Sequence, residues 1–142
     1  MNSAKGGELI RTAGLSKLYP DTGTAALSDV SLSFVCGEFA AIKGPSGSGK
    51  STLFNIIGGL ITPSAGKVFF GETEVSGLKD TSVFRRENVG FAFRDFYLYP
   101  GFTALENVIL PLAFGVSVSK EKKEKALSLL GLGGVAAGRG MT

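Results

Sequence analysis

A chain of 142 residues, 44% hydrophobic and 19% charged, is predicted to form one globular domain rather than a disordered segment. Fifteen basic against twelve acidic residues leave +3, a mild excess that suits an anionic small ligand and gives no ground for a nucleic-acid partner. With no histidine and one cysteine, Cys36, the sequence excludes Ser-His-Asp and Cys-His nucleophile systems, histidine metal sites and an internal disulfide.

Residues Met1 to Glu8 carry one lysine and no apolar stretch, so no secretory signal is expected there. Glu8 to Phe39 alternates loosely between apolar and polar around a turn signal, Pro20-Asp21-Thr22-Gly23, which predicts antiparallel strands. Phe39-Ala40-Ala41-Ile42 is a short continuous apolar run, the pattern of a strand covered on both faces. A glycine loop follows, then a helix from Lys50 to about Leu60. Gly66 to Gly71 reads as another strand and Val89 to Phe93 as a further one.

Helical signals take over beyond that point. Thr103 and Glu106 have the spacing of a capping box opening a helix on which most of Leu105, Val108, Ile109 and Leu112 are expected in the core, the others being open to a partner protein's surface. A second helix is predicted from near Ser119, with Glu121 and Lys125 paired and Leu127 and Leu130 on an apolar face. Lys120, Lys122, Lys123 and Lys125 read as a solvated face, and Cys36 as a small hydrophobe. The longest apolar stretch, Val108 to Val116, is half a membrane span and contains Pro111, so a soluble chain is expected, and the lone Cys36 fits a reducing compartment such as the cytoplasm. From Gly131, five of the 21 glycines fall within ten residues; residues 131–142 are expected to be a disordered tail after a domain of 1–130.

The decisive segment is Gly44-Pro45-Ser46-Gly47-Ser48-Gly49-Lys50-Ser51-Thr52, which matches G-x-x-x-x-G-K-[ST]. Holding a polyphosphate takes many donors at once, and backbone N–H groups supply them without bulk. Gly44, Gly47 and Gly49 free the chain to aim those groups inward, and the following helix presents its positive dipole end to the anion. Lys50 can set a charge between the terminal phosphates, and the Ser51 hydroxyl can ligate the magnesium they carry. A glycine-rich turn that binds nothing is the plain alternative. The predicted buried strand before the loop and the helix after it favour a nucleotide site.

Loops of this form resemble those of guanylate-type kinases, in which the loop lies almost at the N-terminus. Here 43 residues precede it. That arrangement resembles instead the nucleotide-binding domain of ABC transporters, and other segments agree. Lys17-Leu18-Tyr19 is similar to the family's A-loop, whose aromatic ring stacks on adenine. Leu27 to Phe34 with Gly37-Glu38 resembles the lead-in to the family's Walker A loop. Val89 to Arg94, followed by Leu98-Tyr99-Pro100 and Thr103 to Val108, resembles its Q-loop region. The nearest subgroup is that of macrolide-exporter and lipoprotein-releasing ATPases. The resemblance implies a chain that holds ATP and Mg2+ through Tyr19 and residues 44–52. It also implies a transmembrane transporter subunit as partner, at the inner face of the membrane.

Family members continue into a signature motif, a Walker B strand ending in Asp-Glu, and a switch histidine. None is found before Thr142, so the resemblance implies a cassette cut short and unable to hydrolyse ATP alone. Arg94 occupies the position of the family's magnesium-sensing glutamine, and a guanidinium has donors only and cannot ligate a metal. The expected fold is α/β: a P-loop NTPase core with a parallel sheet, an N-terminal antiparallel subdomain and the start of a helical subdomain, incomplete. Exposed strand edges in such a core favour self-association or a complementary chain. Two alternatives stay open: a non-catalytic nucleotide-binding or assembly module from a degenerate gene, and a small P-loop kinase using Asp95.

Overall fold

Alternation in the first part of the chain becomes a long hairpin. In the computed structural model, which describes residues 7–95, 97–113 and 119–132, β1 (Glu8–Tyr19) and β2 (Thr24–Val35) pair antiparallel. The Pro20–Gly23 turn joins them as expected: Thr22 N–H donates to Tyr19 O at 3.3 Å and Gly23 takes φ 64°. β3 (Ala65–Phe70) pairs with the other edge of β1, and the two-residue β4 (Thr73–Glu74) follows, so the sheet runs β2-β1-β3-β4. Every pair is antiparallel. The β1–β2 ladder shifts register between Thr12 and Leu15, and Thr12 mends it from within. Its buried hydroxyl donates to Val30 O at 3.1 Å and accepts the Leu32 N–H at 2.9 Å.

Helix α1 (Lys50–Ile57) lays Leu53 and Ile56 on the sheet, against Leu15, Leu27 and Val68. It ends earlier than predicted, before Leu60. Gly59 at φ 72° donates to Ile56 O at 3.0 Å and Leu60 N–H to Asn55 O at 2.8 Å, the paired bonds of a Schellman cap. A single 3-10 turn (Val75–Gly77) and α2 (Ser82–Asn88) close the core with Val75 and Phe84, whose ring meets Phe70 edge-on at 5.4 Å. Arg85 and Thr81 both donate to Gly59 O, at 2.8 and 2.7 Å, and so hold the turn just past the end of α1.

Two predicted strands do not form. Residues 39–42 and 89–93 do not take up strand structure, and Phe39 is 96% exposed. An apolar run becomes a buried strand only where neighbours complete its ladder, and neither run takes part in the β2-β1-β3-β4 sheet. The sheet among the described residues is the expected antiparallel one.

The chain divides after Phe91, and the second unit holds α3 (Ala104–Ala113) and α4 (Lys120–Leu132). The capping box forms as predicted: Thr103 N–H donates to Glu106 Oε2 at 2.7 Å, and Glu106 N–H to Thr103 Oγ1 at 3.3 Å. The Thr103 backbone and then its hydroxyl, both donating, hold the Glu106 carboxyl below the usual carboxylate range. Leu105, Val108 and Ile109 are half-buried rather than core, and the side chain of Leu112 lies outside the described set. On α4 the buried position is Ala126, while Leu127 is exposed and Leu130 half-buried, so the inward line of the helix runs through the small residue. Glu121 and Lys125 are exposed and form no ion pair among the described residues, as little is gained by holding two long side chains together in water. The expected tail lies outside the described residues from 133 onward; residues 131 and 132 belong to α4.

Candidate functional site

The hairpin turn sets Tyr19, the last residue of β1, opposite Thr24, the first of β2. Ala26, at the register shift between Ala25 and Leu27, lines the same cleft. Across from them stand residues 47–52, and between the two sides is a cleft of about 270 Å³. Among the described residues no carboxylate lines it, and Lys50 gives it a positive charge.

The loop reaches α1 through two left-handed glycines, Gly47 at φ 78° and Gly49 at φ 83°. Gly49 is required twice over, because a Cβ there would stand 2.2 Å from Ala26 O and 3.0 Å from Leu27 Cδ2. This contact seats the loop on β2. Gly49→Ala is expected to destabilise the chain by more than the ~1–2 kcal/mol of the left-handed conformation alone. Gly47→Ala, whose Cβ meets nothing within 4 Å, is expected to lose only that conformational part. Urea unfolding of both variants checks the order.

The first bond of α1 runs from Leu53 N–H to Gly49 O at 2.9 Å, so the N–H groups of Lys50, Ser51 and Thr52 have no partner within the helix. The Lys50 ammonium turns back over its own loop, donating to Gly44 O at 3.0 Å, Pro45 O at 2.7 Å and Ser48 Oγ at 3.1 Å. All three of its donors are thereby used. The Ser51 hydroxyl is exposed at the start of the helix. Tyr19 is 36% exposed, with its hydroxyl 3.4 Å from Thr52 Oγ1.

Of the residues singled out in the sequence, Tyr19 and Gly47 to Thr52 line one cleft. Gly44 and Pro45 stand behind it as acceptors for Lys50, and Ser46 is exposed in the turn between. Arg94 is exposed and belongs to the other unit. Sequence reading missed Thr24 and Ala26, although the turn at Pro20–Gly23 fixes Thr24 opposite Tyr19 and carried that information. No group of three or more acidic or cysteine side chains able to hold a metal occurs among the described residues. No helix among them is long and apolar enough to cross a membrane.

The family model described as ABC transporter matches residues 27–140. The chain belongs to the ABC transporter family. It is 44% identical over 131 residues to the lipoprotein-releasing system ATP-binding protein LolD of Aquifex aeolicus, covering 89% of this chain and 58% of that one. It is 41% identical over 126 residues to the macrolide export ATP-binding/permease protein MacB of Burkholderia thailandensis, covering 86% of this chain and 19% of that one. Among solved structures, the dimeric ATP-binding cassette MJ0796 of Methanocaldococcus jannaschii, bound to ADP and Pi, superposes with a TM-score of 0.79 at 38% identity. That match covers 91% of this chain and 59% of the cassette. The chain spans between 19% and 58% of the length of the curated relatives it matches. Both subgroups that the Q-loop and A-loop segments resemble are thus among the relatives, and the sheet and helices form part of a P-loop NTPase fold. Membership of the ABC transporter family decides between the two families that share this loop.

Proposed function

We propose that this chain is the nucleotide-holding part of a transporter's ATP-binding component, with MgATP in the cleft between Tyr19 and the Walker A loop. One observation supports this above the rest. An aromatic ring at the end of β1 shares a cleft with a left-handed glycine, a lysine and open N–H groups at the start of α1. In this reading adenine stacks on Tyr19 and the phosphates lie along residues 44–52.

The Ser51 hydroxyl, which has no hydrogen-bond partner among the described residues, would hold Mg2+ together with phosphate oxygens and water, the hard oxygen set this ion takes. Bound there, the ion would offset the charge of the phosphates and fix their geometry.

The partner in this reading is a transmembrane subunit at the inner face of the membrane, and a second copy or a complementary chain completes the nucleotide-binding pair. The relative MJ0796 is dimeric, which favours pairing. By itself the chain holds nucleotide without turning it over.

Substitution of Tyr19 tests the base end of the site. Stacking of a base on an aromatic side chain is worth about 1–3 kcal/mol, so Tyr19→Ala is expected to weaken ATP by about fivefold or more. Tyr19→Phe keeps the ring and loses only the long contact to Thr52, so it should bind nearly as the parent does. Titration with ATP separates the cases. Equal losses in the two variants would mean that the hydroxyl, not the ring, matters.

A further inference from the structure

Lys17 stands two residues before Tyr19 and takes no part in the phosphate loop. Its ammonium donates to Thr62 O at 2.8 Å and lies over the Tyr19 ring, 5.4 Å from the centroid. A cation within about 6 Å of a ring centroid is drawn to the ring's negative face. Ser64 grips the same strand end. Its hydroxyl accepts the Leu18 N–H at 3.1 Å and donates to Leu18 O at 3.3 Å, while its own N–H donates to Ser16 O at 2.9 Å. Thr52 meets the Tyr19 hydroxyl from the first turn of α1. Thr52, Thr62 and Ser64 thus hold the end of β1 from α1 and the segment that follows it. One helix opens at the phosphate loop and, through its trailing segment, sets where the aromatic ring stands.

We propose that Lys17 is a positioning residue for the nucleobase. Anchored on the Thr62 carbonyl, it fixes the Tyr19 ring for stacking and makes no contact with the phosphates. This rests on the ATP-binding reading above. A half-exposed tyrosine at a strand end otherwise loses side-chain freedom when a base stacks on it, and a ring ordered beforehand avoids that loss.

The test is a calorimetric titration of the full chain with ATP and, separately, with inorganic tripolyphosphate, which has no base. Lys17→Met keeps the aliphatic stem and removes the charge. It is expected to weaken ATP about two- to fivefold and to leave tripolyphosphate unchanged. Lys17→Arg, which restores a donor and a cation, should recover the affinity for ATP. In a Tyr19→Ala background, Lys17→Met should have no further effect, because the ring it acts through is gone. Equal losses for ATP and tripolyphosphate would overturn the proposal, as would a loss that persists without the ring. ATP binding by the parent and by Lys17→Met with equal affinity, alongside weakened binding by Lys50→Ala, would overturn it and leave the nucleotide reading standing. No ATP binding by the parent would overturn both.

Discussion

Replacing Lys50 by alanine is expected to raise the dissociation constant for ATP by about tenfold or more. The reason lies in what the ammonium exchanges on binding. Without nucleotide it is satisfied by Gly44 O, Pro45 O and Ser48 Oγ, so phosphate oxygens replace neutral acceptors rather than empty space. The net gain is therefore the difference between charge-assisted and neutral hydrogen bonds plus the attraction between opposite charges. Removing a partner of such a pair costs about 2–5 kcal/mol when the pair is buried. The open cleft places Lys50 near the lower end of that range, still beyond a tenfold loss at about 1.4 kcal/mol per decade. The variant also frees the carbonyls of Gly44 and Pro45, both exposed to water, so the fold should survive. Titration with a fluorescent ATP analogue checks this, with urea unfolding as a control on stability. Equal affinities in the two proteins would remove the nucleotide site.

What could be read from the sequence divides along the range of the interactions involved. The β1–β2 turn and the Thr103–Glu106 capping box were legible because each is made by residues within four positions of one another. The phosphate loop was legible for a related reason, since its glycines and lysine act through the backbone of their own segment. The failures are the features that depend on distant partners. Residues 39–42 have a strand's composition, yet a strand also needs a neighbour to receive its hydrogen bonds. Helix α1 stops at Ile57 because Gly58 and Gly59 cap it, a stop signal that the apolar Leu60 beyond them obscured. The tether of Lys17 to Thr62 joins residues 45 apart in the chain, and nothing in either segment alone announces it. Thr24 lies between these cases. Its place opposite Tyr19 follows from the turn, but only once the hairpin register is drawn.

Phosphate release from ATP by the purified chain is expected to be negligible and no different from that of Lys50→Ala. Binding and hydrolysis draw on different residues. Binding needs the N–H groups at the start of α1, Lys50, Ser51 and a stacking ring, and these line one cleft. Hydrolysis also needs an oriented water, a carboxylate to polarise it, and donors that meet the transferred phosphoryl group as charge develops on it. Among the described residues the cleft has no carboxylate and no acidic cluster supplies a second metal contact. The sequence has no histidine, and no run of four apolar residues leads directly into an aspartate; Asp95 follows Arg94 instead. Positioning and electrostatic stabilisation account for nearly all catalysis of phosphoryl transfer, so removing several such parts together leaves little behind. Pairing two copies of these 142 residues would not restore them, since a part lacking in one copy is lacking in both. A continuous phosphate assay, run with and without Mg2+, measures the rate. Turnover near about 1 per second that vanishes in Lys50→Ala would overturn the expectation and direct attention to Asp95 as the acidic group.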